Sequence, residues 1–181
     1  MMKMNANIST EGENMTCKLE KKTKKITILG IGNTLYSDEG VGVHILSILR
    51  EMFKDCKEDE LEIIEGATDG MKLLGPVEDT EYLIILDAIN AGKAPGTIIT
   101  IKNDDIPAFF GVKMSVHQVG FQEVLFAARI RECLPEEMIM FGIQPESLEL
   151  GLDLTSTVND KLQNLAGMIK DQVDTWREKF E

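Results

Sequence analysis

The sequence predicts an α/β fold built on a mainly parallel sheet, on three observations. From Lys25 onward short β-rich runs alternate with segments of helical periodicity. The run EYLIILDA (81–88) is apolar almost throughout, as a strand buried on both faces should be. The remaining runs are separated by segments long enough for helical crossovers, with no internal repeat, low-complexity tract or linker, so one α/β domain over residues 25–181 is the economical reading.

The elements follow in order. KITILG (25–30) is a strand ending in glycine. Val41, Ile45, Ile48, Leu49 and Phe53 then recur at helical spacing and predict an amphipathic helix over 39–55. LEIIE (61–65) is a second strand, followed by a short helix over 68–77 with Thr68 as N-cap. After the central strand, NAGKAPG (90–96) is turn-rich and leads to TIITIK (97–102). Residues 103–114, with Pro107 and Phe109–Phe110, read as a loop. SVHQ (115–118) has the form of a capping box and predicts a helix from Ser115 to about Glu132. EMIMFGI (137–143) is the fifth strand and PESLELGLDLT (145–155) an acidic loop. TVND (157–160) is a second box-like start, with Val158, Leu162, Leu165, Ile169, Val173 and Trp176 on one helical face.

Composition narrows the function. The 181 residues carry 19 Lys and Arg against 31 Asp and Glu, a net charge of −12. That argues against nucleic acid, whose binding rests on phosphate neutralisation. Cys17, Cys56 and Cys133 form no CxxC pair, which points to a reducing compartment without a disulfide framework or structural zinc. No apolar run approaches the roughly 18–20 residues of a membrane span. Residues 1–24 are polar, with a basic KLEKKTKK and no signal-like apolar stretch, and read as a disordered leader; Met15 offers an alternative start.

The stretch ILGIGNTLYSDEG (28–40) starts like a phosphate cradle, but Leu35 stands where a dinucleotide fingerprint has its third glycine, and no P-loop lysine follows. A phosphate there would meet Asp38 and Glu39, an unfavourable pairing of like charges. Acids at a helix start are also commonplace, because the macrodipole favours them by ~0.3–1 kcal/mol. Asp87 adds a second carboxylate at the carboxyl end of the central strand, the edge where open α/β sheets gather ligands, although a turn aspartate before Asn90 reads equally simply. His117 falls in the first turn of its helix, where a neutral, ligand-competent imidazole is favoured. His44, inside the first helix, suits a packing or surface role. Glu39, Asp87 and His117 therefore form a candidate set of two oxygens and one nitrogen for a borderline divalent metal such as nickel, zinc or manganese. Asp38 is a lesser candidate, for positioning water. Ser37 and Ser115 suit capping, no G-x-S-x-G elbow is present, and Cys133 belongs to packing. Paired-carboxylate glycoside chemistry remains open from spacing, against a poverty of aromatic platforms.

The blocks ILGIGNTLYSDEGVGVHIL, EGATDGMKLLG, YLIILDAINAGKAPGTI, SVHQVGFQEVL and GIQPESLELGLDLT together resemble the nickel–iron hydrogenase maturation endopeptidases, covering most of residues 26–158. Glu65 departs from the family's aspartate after the second strand. The resemblance implies a three-layer α/β/α sandwich of the phosphorylase/hydrolase-like kind, with a five-stranded sheet, acting in the cytoplasm; a monomer without a membrane partner is the expectation beside it. It implies an aspartyl-type endopeptidase that removes the C-terminal extension of a hydrogenase large-subunit precursor once nickel is inserted. Glu39, Asp87 and His117 match the family's metal-contacting residues. The nickel would be borne by the substrate, with cadmium or zinc able to occupy the same place. Two other readings stay open beside it: a nickel-checking binding module that does not cut, and a nucleotide-dependent α/β enzyme.

Overall fold

The computed structural model describes residues 24–67, 70–110 and 116–180. Five strands form one sheet: β1 (Ile26–Ile31), β2 (Leu61–Ala67), β3 (Tyr82–Ala88), β4 (Ile98–Lys102) and β5 (Glu137–Ile143), in the order β2-β1-β3-β5-β4. β2, β1, β3 and β5 run parallel to one another, and β4 closes the β5 edge antiparallel. β1 and β3 are buried along their whole length, as strands covered on both faces must be.

The helices are α1 (Val41–His44), α2 (Leu46–Met52), α3 (Leu74–Glu78), α4 (Asp105–Phe110), α5 (Val116–Ile130), α6 (Ser156–Asn159) and α7 (Leu162–Glu178). Two apolar cores sandwich the sheet. One gathers Ile28, Ile84 and Phe141 with Leu46 and Leu49 of α2 and Leu165, Ile169 and Trp176 of α7. The other gathers Leu29, Ile85 and Met140 with Val77 of α3 and Phe121, Val124 and Leu125 of α5. These are the three layers expected. At the amino edge of the sheet, buried Trp176 stacks on Tyr82 with ring centroids 5.0 Å apart and donates from Nε1 to Glu137 at 2.8 Å. Hydrogen bonds from Lys179 and Trp176 hold the Glu137 carboxyl below its ordinary pKa. Its contribution to stability is therefore complete above the ordinary glutamate range and is lost as pH falls through the lowered value.

Three local readings are corrected. The first helix is broken: a 3-10 turn over Ser37–Gly40 precedes α1, and Ile45 separates α1 from α2. Residues 105–110 are helical, where a loop was expected. Pro107 lies in the first turn of α4, where its missing N–H is one of the groups a helix leaves unpaired anyway. The last helical region is capped by Thr155, whose hydroxyl accepts from Val158 N–H, and not by Thr157. Residues 1–23 of the expected leader, and the Thr68 and Ser115 caps, lie outside the described residues.

Candidate active site

Leaving β1, the chain runs first to β2 on one side and then crosses to β3 on the other. The carboxyl ends of β1 and β3 therefore flank the topological switch point, where open α/β sheets hold their ligands. Both sequence-predicted carboxylates arrive there. Asp87 is the penultimate residue of β3, 1% exposed, with Oδ1 accepting from Ala88 N–H at 2.8 Å. Glu39 is half-buried in the 3-10 turn that follows β1, its N–H bonded to Tyr36 O at 3.0 Å.

The glycines explain how that turn comes so close. A Cβ on Gly42 would lie 2.2 Å from Leu86 O and 2.3 Å from Ile31 O, so the start of α1 sits directly on the backbones of β3 and β1. Gly32, at φ +135°, leaves space filled by Glu39 O, which a Cβ would approach to 2.1 Å. A Cβ on Gly30 would stand 2.2 Å from Gly42 O. What these glycines make room for is the chain's own main chain, not a phosphate. That close seating of main chain on main chain gives the glycines a packing reason of their own.

Asp38, the lesser candidate, is engaged in structure. It is fully buried, and its carboxylate is taken up by the segment after β5. Oδ2 accepts from Glu146 N–H at 2.9 Å and Ser147 N–H at 3.0 Å; Oδ1 accepts from Thr155 N–H at 2.8 Å. The Thr155 hydroxyl spans both oxygens, at 3.1 and 2.9 Å. A buried carboxylate so surrounded is well satisfied and ties residues 146–155 to the turn that carries Glu39. Asp38→Ala should leave several part-buried donors without their carboxylate, at up to about 1–3 kcal/mol each. Hydrogen exchange should then rise selectively at Glu146, Ser147 and Thr155; unchanged protection there would remove the latch from the account.

A second latch escaped the sequence reading. Gln144 is 6% exposed, just beyond β5, and its Oε1 accepts from Ala91 N–H and Lys93 N–H at 2.9 and 3.1 Å. Its Nε2 donates to Asn90 Oδ1 at 3.2 Å. It thus fixes the turn that follows Asp87. The one legible signal was an amide placed directly after an apolar strand.

His117 lies in the first turn of α5, and its side chain is outside the described residues. A Cβ on Gly120 would meet Gly70 Cα at 3.3 Å, so α5 begins near the segment that leaves β2, at the carboxyl edge. The geometry differs from the one expected, in which the preceding strand ends at the edge where the helix begins: β4 is antiparallel to β5, so its own carboxyl end lies at the opposite edge of the sheet. Among the described residues, no three His, Cys, Asp or Glu side chains form a metal cluster. The two acids fit part of an oxygen-donor set. His44 packs its ring against Gly40, as its position in the helix suggested.

The fold and the placement of Asp87 and the Glu39 turn define an open α/β protein with acidic residues at its topological switch point. Comparison with known proteins is consistent and more specific. A family model described as hydrogenase maturation protease matches residues 43–172. The hydrogenase 2 maturation protease of Escherichia coli K12 is 40% identical over 140 residues, covering 77% of this chain and 84% of that protein. A hydrogenase expression/formation protein, HoxM, of Azotobacter vinelandii is 41% identical over 140 residues, or 76% and 67% of the two chains. The structure of the hydrogenase maturating endopeptidase HybD from E. coli superposes with a TM-score of 0.77 at 36% identity, over 83% of this chain and 93% of that one. The chain belongs to the hydrogenase maturation protease family, and is a hydrolase of the endopeptidase kind.

Proposed function

We propose that this protein removes the C-terminal extension of a nickel–iron hydrogenase large-subunit precursor after nickel has been inserted. What supports the proposal is that the turn bearing Glu39 and the carboxyl end of β3 bearing Asp87 lie at the switch point between β1 and β3. With His117 from α5, they are the residues that would contact nickel already held by the substrate; cadmium or zinc would suit the same donors. A metal so placed supplies polarisation of a carbonyl or acidification of a water. The protein's own part is to hold the two carboxylates rigidly, through Gly32, Gly42 and the Asp38 and Gln144 latches. Monomeric action in the cytoplasm fits this reading. No helix among the described residues is long and apolar enough to cross a membrane.

The test is the intact mass of a cognate precursor incubated with the protein, with and without nickel loading. Loss of one discrete C-terminal peptide from the loaded form alone is expected. Equal loss from the nickel-free form would refute nickel recognition, and no loss from a loaded precursor would refute processing.

A further inference from the structure

Next to the crevice lies a surface that the chemistry described above does not use. Nine large apolar residues are exposed among those described, and five of them come from just two segments beside the site. They are Leu35 and Tyr36, 56% and 39% exposed, and Leu148, Leu150 and Leu152, 46%, 78% and 67% exposed. Single exposed leucines are ordinary, but such a concentration marks a contact surface.

The two segments are also zipped together. Ser37 N–H donates to Gly151 O at 2.7 Å, Gly151 N–H to Leu35 O at 3.0 Å and Asp38 N–H to Ser147 O at 3.2 Å. The Ser37 hydroxyl reaches Asp153 O at 2.9 Å, and the buried Asp38 carboxylate pins the same segment from beneath. The leucines are thus displayed on a main chain that is already ordered, so binding there does not have to order it.

Charge decides what the surface fits. Glu146, Glu149 and Asp153 are exposed among the leucines, and residues 33–40 and 144–155 contain no Lys or Arg. In a chain of net charge −12, this rim repels both a second copy of itself and an anionic lipid surface. It suits a protein surface that is apolar with flanking lysines or arginines. The rim is continuous with the crevice, because Asp38 and Glu39 are consecutive.

We infer that this rim, Leu35, Tyr36 and the leucines of 148–152, docks the folded body of the precursor protein through an apolar, basic-flanked patch, and so selects which protein is cut. This rests on the processing reaction proposed above. A docking contact made equally before and during the reaction lowers KM and leaves kcat alone, so its loss raises KM.

The experiment compares wild type with a Leu148→Ser/Leu150→Ser/Leu152→Ser variant and with Glu149→Lys. Cleavage of full-length loaded precursor is followed by intact mass across a range of concentrations, alongside direct binding to fluorescently labelled precursor. Thermal melts report folding, and Phe126→Ser/Ile130→Ser, which removes the exposed apolar pair of α5, serves as control. The triple variant should raise KM and Kd about tenfold or more with kcat within about twofold. Glu149→Lys should weaken binding and flatten its dependence on salt. The control should match wild type. The inference is overturned if the folded triple variant keeps KM and Kd within about twofold, if only kcat falls, or if the control loses as much. Should wild type leave the loaded precursor uncut, the processing reading fails by itself, and the binding titration still decides the docking.

Discussion

Asp87→Asn should abolish precursor processing, lowering kcat/KM on the order of 10²-fold or more, because changes even one shell away from a metal contact cost about 10–100-fold. The fold should be indifferent to the change. Asparagine has nearly the same volume, and its Oδ1 can still accept from Ala88 N–H, which the aspartate holds at 2.8 Å. What disappears is the negative charge at the end of β3, in a position only 1% exposed. The near-identical shape should keep the thermal midpoint close to that of wild type. A melt and an intact-mass time course on the same sample separate the two effects. A variant that melts normally and cuts at full speed would take Asp87 out of the active site altogether.

Gly42→Ala should be strongly damaging for a single added methyl. The added carbon meets Leu86 O at 2.2 Å, Ile31 O at 2.3 Å and Leu86 C at 2.7 Å, all backbone atoms of central strands. No rotamer change can relieve that, so α1 has to lift away from the sheet. Overpacking of this kind costs about 1–3 kcal/mol, occasionally more. In a chain of this size each kcal/mol lowers the midpoint by about 2–4 °C. Activity should fall further than stability predicts, because Glu39 lies on the turn leading into α1, and a displacement of about 1 Å at a reacting centre can cost about 10²-fold. Gly167→Ala is the matched control. Nothing lies within 4 Å of its added carbon, it sits inside α7, and alanine there should add about 0.5–1 kcal/mol without touching activity. If Gly42→Ala proved as harmless as Gly167→Ala, the close seating of α1 on the sheet would be wrong.

The strands were legible because a strand covered on both faces must be apolar throughout, and a run like Tyr82–Ala88 suits few environments but the middle of a sheet. Asp87 was legible for the same reason: an acid ending such a run has to lie at the sheet's edge. The Asp38–Glu39 pair was legible as a pair, but the hold of Asp38 on residues 146–155 was not. The donors that occupy Asp38 are mostly main-chain N–H groups 108 to 117 residues further along, and backbone amides leave no mark on a sequence. Gln144 was hidden likewise, its partners being the amides of Ala91 and Lys93. The α4 helix was missed because Pro107 signals a break in general and tolerates a first turn in particular. The antiparallel β4 escaped because an edge strand's direction depends on the path around it, not on its own residues.

The Asp38 latch also bears on how the molecule comes into being. Ribosomal synthesis delivers β1, the glycine turn and β3 well before residues 146–155. Until those arrive, Asp38 has none of the donors that satisfy it in the finished protein, and its charge keeps the turn wet and loose. Glu39 takes its final place only when the far segment closes over its neighbour. The turn that carries Asp38 and Glu39 therefore depends on a partner made more than a hundred residues later, and it can be completed only after the final strand and residues 146–155 have been synthesised.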